Sequence, residues 1–155
     1  MKTLPKTLAM CLAGAVLATA TLQANDKIKR TPSPKGARVY LIGVKDGKTV
    51  KAKKGKVVVR FGLKGMGVCP AGLLIDGKPL PNTGHHHLLV DVDKAPPLDM
   101  PLPSTPNVRH FGLGQTEVTL ELKPGKHTLQ LVFADHLHIP HDPPVISDKI
   151  TITVE

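Results

Sequence analysis

The sequence predicts an all-β chain, an immunoglobulin- or fibronectin-like antiparallel sandwich of seven to nine strands, and three observations carry that expectation. Apolar and polar residues alternate with period two in several short runs, as strands wetted on one face require. Turn signals return about every ten residues, the spacing of a sandwich. The 155 residues hold 15 prolines and 14 glycines, and the apolar positions are rich in β-branched side chains, which disfavours a helical bundle.

The elements follow in chain order. Lys2 and Lys6, an apolar run from Leu8 to Ala20 and the small residues after it have the three-part layout of a secretory signal. The run is too short to span a bilayer. Cleavage after Ala24 is favoured over Ala20, so residues 1–24 are expected to leave, Cys11 among them. The chain is thus expected to be periplasmic or secreted, with no transmembrane segment in its mature form. Residues 25–36 are polar, basic and proline-containing, which predicts a flexible arm. One domain is expected over 37–155.

Arg38 to Val44 and Lys56 to Leu63 read as strands, with Val57, Val59, Phe61 and Leu63 on one face. Gly62 to Gly72 is a loop and Leu73 to Ile75 a short strand. His85 to Val92 is a further strand. Ala95 to Pro106 carries five prolines in twelve residues and predicts an extended connection over the surface. Thr116 to Leu122, His127 to Phe133 and Lys149 to Glu155 alternate cleanly and complete the sandwich. His127, after the Pro124-Gly125 turn, takes an inward position and reads as a side chain that tethers the backbone through a hydrogen bond.

Charge divides along the chain. Between Lys27 and Lys64 there are 13 basic residues and one acid; from Gly65 onward there are 6 basic and 10 acidic residues. Such a basic segment can attract an anionic envelope polymer or a lipid surface, or can keep an edge strand soluble. With only Tyr40 and Phe61 aromatic in that stretch, stacking platforms for nucleic acid are scarce, and no nucleic-acid partner is expected.

All eight histidines lie in the second segment. His85 and His87 are two apart in a strand and project to one side, so both can reach one ion, while His86 points to the core with Leu88 and Val90. His136 and His138 repeat the spacing, Pro140 lets His141 turn back, and His110 follows the proline-rich connection. His85, His87, His110, His136, His138 and His141 are therefore candidate metal ligands. Imidazole nitrogen suits Cu(II) and Zn(II), whereas the sulfur donors Met66, Cys69 and Met100 are scattered. Asp91 and Asp135 are candidates for an oxygen ligand or for orienting an imidazole. Ser33, Ser104 and Ser147 lie in no nucleophile elbow, and Cys69 has no evident base and reads as a small buried residue. The expected activity is non-catalytic metal binding, with an envelope interaction module as the alternative.

The segments Asn82-Thr-Gly-His-His-His-Leu-Leu-Val-Asp91, His110-Phe-Gly-Leu-Gly-Gln-Thr-Glu117, Pro124-Gly-Lys-His-Thr-Leu-Gln-Leu131 and His138-Ile-Pro-His-Asp-Pro-Pro-Val-Ile-Ser147 resemble the bacterial exported family called domain of unknown function 4399. The resemblance runs from about Gly65 to Glu155. It implies a small exported domain and carries over no catalytic residues. That family usually has a small residue such as Ala where this chain has Cys69, which argues against thiol chemistry.

Overall fold

A computed structural model describes residues 28–155. The expected signal segment 1–24 and residues 25–27 of the expected arm lie outside the described residues. Twelve strands and no helix are present among the described residues, so none of them forms a helix long and apolar enough to cross a membrane. The strands are β1 (Arg38–Ile42), β2 (Thr49–Val50), β3 (Lys56–Lys64), β4 (Gly67–Val68), β5 (Leu74–Ile75), β6 (Lys78–Pro79), β7 (Thr83–Val90), β8 (Val108–Phe111), β9 (Glu117–Glu121), β10 (Gly125–Ala134), β11 (Pro140–Ile146) and β12 (Ile150–Val154).

Two sheets pack face to face, as the alternation predicts. One has the order β1-β3-β9; the other runs β2-β12-β10-β7-β4, with β11 also pairing β10 and β8 also pairing β7. The strand count exceeds seven to nine because turns contribute two-residue strands, including the β5-β6 hairpin. Two of these short strands pair in parallel, β2 with β12 and β4 with β7, so the second sheet is mixed.

The period-two pattern builds the main core. Val57, Val59 and Phe61 of β3, with Leu120 of β9, face Leu88 of β7, Leu129, Leu131 and Phe133 of β10, and Ile152 of β12. These side chains are almost wholly removed from water, and each contributes roughly 1.5–3 kcal/mol of transfer free energy. The second sheet is also covered on its outer face. Leu89, Val132 and Ala134 pack there with Leu102 and Val108, and Ala95 and Leu98 of the proline-rich connection lie against them. Strand β7 is thus sandwiched on both sides, and the connection acts as a third, partial layer. This double cover controls the site, because whatever β7 aims outward is buried as well.

The arm expected over 25–36 is not free where it is described. The Asp142 N–H donates to the Thr31 carbonyl at 2.9 Å, the Ser33 N–H donates to the Asp142 carbonyl at 3.0 Å, and Pro32 bridges Asp142 in parallel. Arg30 adds donations to the carbonyls of Pro140 and His141 and an ion pair with Asp142. Polar composition predicts exposure; here it supplies strand-like pairing to β11.

Candidate metal centre

His85 and His87 lie on the outward face of β7, as their spacing predicts, and both are fully buried because the proline-rich layer covers that face. Antiparallel register sets their neighbours. His87 is opposite Val132 of β10 on one side and His110 of β8 on the other; His85 is opposite Ala134. The small Ala134 leaves room beside His85 for a ring from the β10-β11 loop, and His138 takes that place. Ring centroids are 4.8 Å apart for His85 and His87, 4.9 Å for His85 with either His110 or His138, and 4.7 Å for His110 and His138. His87 completes the group at 5.1 Å from His110 and 5.9 Å from His138. Four imidazoles from three chain segments therefore meet.

One nitrogen from each of His85, His110 and His138 lies within 4.8 Å of the others. A tetrahedral zinc with bonds of about 2.0–2.1 Å needs its donors roughly 3.4 Å apart, so small ring rotations would close the set. The hydrogen bonding fits an ion. Both nitrogens of His85 and Nδ1 of His87 are buried with no hydrogen-bond partner, a costly state for a polar group that a metal bond would relieve. His110 is exposed and forms the open side of the group.

Electrostatics hold these rings in the form that binds metal. Burial, followed by the neighbouring His138 and His110, pushes His85 down to about 3. Burial and then His85, His110 and His138 push His87 to about 2. His110 is lowered as well, by burial and by His138. At neutral pH these three are neutral imidazoles with a free lone pair.

The loop that presents His138 is built by Asp135. This carboxylate is buried, and its Oδ1 accepts the N–H groups of Leu137 and Ile139 at 2.9 and 3.0 Å. His138 itself sits at φ 66°, a left-handed conformation that costs a non-glycine residue about 1 kcal/mol or more and persists only when its surroundings enforce it. Thr31 donates from Oγ1 to the other Asp135 oxygen at 2.7 Å, and the Leu102 N–H binds the His138 carbonyl at 2.9 Å. Replacing Thr31→Val removes the hydroxyl from this chain while keeping the shape. Up to about a tenfold loss of metal affinity is expected, the low end for residues that act behind a ligand, measured by titration beside the unmodified protein.

Three predicted placements are corrected. His141 does not turn back at Pro140, because Pro140 opens β11 and fixes His141 on the inward face with Val145. Its ring stacks on Phe133 at 5.8 Å, and its nitrogens face the carbonyls of Thr83 at 3.2 Å and Phe133 at 3.4 Å. Gly84 is needed for that approach, since a Cβ there would collide with the Ala134 carbonyl. His136 lies in a turn, where strand alternation does not apply. Its ring lines a small cavity with Thr31, Cys69, Thr83 and Asp135, apart from the four-histidine group. Asp91 stands at the far end of β7, where its carboxylate binds His127 Nδ1 at 2.8 Å and accepts the Thr128 N–H at 2.9 Å.

His127 is a tether, with its second nitrogen on the Lys123 carbonyl at 2.9 Å. Burial opposes its charge, but the Asp91 carboxylate and that carbonyl outweigh it and raise the ring above the ordinary histidine range. Cys69 is buried and its thiol donates to Thr83 Oγ1 at 3.2 Å. His86 faces inward between Phe61 and Phe133 at 5.2 and 5.1 Å. Sequence reasoning left Thr31 unassigned and gave Asp135 as an oxygen ligand or as a carboxylate orienting an imidazole, whereas it holds the loop backbone; an Asp three residues before His138 was the available signal.

No curated protein and no solved structure matches the chain. Residues 59–155 match the family model described as domain of unknown function (DUF4399), a stretch that includes all four clustered histidines, and the chain belongs to that family.

Proposed function

We propose that this chain is an exported, periplasmic or secreted domain that binds one Cu(II) or Zn(II) ion without catalysing a reaction. His85, His110 and His138 would supply the first three bonds, with His87 as the fourth donor after a ring rotation. The single observation that supports this most is His85, a buried imidazole with both nitrogens unpartnered and two further imidazoles within reach. The core histidine His141 faces carbonyls and the core histidine His86 is unpartnered between two phenylalanines, so what sets His85 apart is the presence of those neighbouring imidazoles.

An all-nitrogen donor set favours Cu(II) over Zn(II) in the usual affinity order. Calorimetric titration of the purified protein at pH 7.5 is expected to show one ion per chain for both metals, with Cu(II) held more tightly. Visible absorption and electron paramagnetic resonance of the copper form should report nitrogen ligation. No heat and no change in thermal stability with either ion would end the proposal.

A further inference from the structure

The end of the sandwich opposite the histidines gathers the charge that the sequence holds in separate segments. The Ala52 N–H donates to the Glu155 carbonyl at 2.7 Å, and the Leu122 N–H donates to the Gly55 carbonyl at 3.3 Å. These bonds bring the turn before β3 against the β9-β10 turn. Lys48, Lys51, Lys53, Lys54 and Lys56 thereby join Lys123 and Lys126 on one end, and all seven are exposed. The nearby carboxylates are Asp46, Asp91, Glu121 and Glu155, and three of them are already engaged. Asp46 accepts the Thr151 N–H, Asp91 holds His127, and Glu121 pairs with Lys56.

The shape of this end suggests what it meets. Lys54 sits at φ 54° beside Gly55 at φ 73°, a pair of left-handed positions at a hairpin tip where Asn-Gly is usual. The turn therefore keeps a lysine outermost at a backbone cost. None of the exposed large apolar side chains of the described residues lies on these turns, and neither does an aromatic ring. Such a lysine-rich end, indented by a shallow cleft between Lys54 and Lys123, has no platform for stacking a sugar or a base and nothing to insert into hydrocarbon. It suits a flat array of phosphate charges.

We infer that this lysine end docks the protein on an anionic phospholipid surface through headgroup phosphates, with the histidine group held away from the bilayer. The separation follows from β10, whose ten residues from Gly125 to Ala134 span about 30 Å. The inference does not rest on the metal reading.

The test is co-sedimentation of the full chain with vesicles of phosphatidylcholine alone or with one third phosphatidylglycerol, in the presence of a chelator. Binding is expected only to the anionic vesicles and should collapse on raising salt from 0.05 to 0.3 M. The triple variant K51E/K53E/K54E should lose at least a hundredfold in partitioning, since each lysine near such a surface contributes about a factor of five. The charge-matched variant K35E/K64E/K78E, altered away from this end, should retain nearly all of it. Equal losses in the two variants would show dependence on net charge alone and overturn the inference. So would binding to soluble polyphosphate without binding to anionic vesicles, which would assign the surface to a polymer.

Discussion

Replacing His85→Leu is expected to lower Cu(II) affinity more than a hundredfold while leaving the metal-free protein as stable as before, or more stable by about 1 kcal/mol. The two effects have separate causes. Removing a ligand should exceed the 10–100-fold loss seen when only a residue orienting a ligand is removed. Removing an imidazole whose two nitrogens are buried and unpartnered ends a desolvation penalty, and leucine fills a similar volume beside Leu89 and Ala134. Chemical denaturation and metal titration of the same preparation measure both. His141→Gln is the comparison. That ring donates its one N–H to a backbone carbonyl and stacks on Phe133, so its loss should cost stability and leave affinity within about twofold once folding is controlled. If both variants lost metal affinity to the same degree, the four-histidine group would not be the binding site.

That contrast marks where the sequence was legible. Period-two alternation is a local property, so the inward faces of β3, β9, β10 and β12 could be read directly, and His86 could be set apart from His85 and His87. Register is not local. Nothing in the chain says that His110 lies opposite His87, or that Ala134 clears the space for His138, because both follow from how β8 and β10 align on β7. The histidine spacing misled where it left the strand. His136 and His138 are two apart, as His85 and His87 are, yet a turn with a left-handed residue sends their rings to different places. Proline misled in the same way, since Pro140 begins a strand instead of reversing the chain.

The arm illustrates a different limit. Its composition carries no apolar pattern, so sequence reasoning assigns it no packing. Its contacts are hydrogen bonds from Arg30, Thr31 and Ser33 to one strand and one loop. Through Thr31 and Asp135 this stretch reaches the backbone that holds His138. The segment precedes the 59–155 stretch shared with the family, so the histidines belong to the family region while part of their support comes from outside it. The charge division, by contrast, was visible from the start and became a surface only when the β9-β10 turn joined the lysine-rich turn.

Acid should unfold the metal-free protein far more readily than its size suggests. His85, His86 and His87 titrate at about 3, 4 and 2 in the folded chain, chiefly because burial disfavours the charged ring. In the unfolded chain each titrates near 6.5. The unfolded state therefore binds more protons between those limits, and stability rises with pH across that window. A full unit or more above pH 6.5 the three rings are almost wholly neutral in both states and add little pH dependence. Between pH 7.5 and 5.5 they remove about 4 kcal/mol in total, a large part of the 5–15 kcal/mol typical of a domain. His127 has the opposite sign, because its raised value makes its stabilisation complete in acid and lost as pH rises through its folded titration. Its exposed ion pair offsets little of the loss. Urea denaturation at pH 7.5, 6.5 and 5.5 with chelator present should show the decline, and His86→Leu should flatten it by about one third. Saturating Cu(II) should delay the transition, since an ion on His85 and His87 must be displaced before those rings protonate. Equal stability at pH 7.5 and 5.5 without metal would mean that the three rings find proton acceptors in the folded chain, and the case for a buried, ion-ready imidazole group would fall with it.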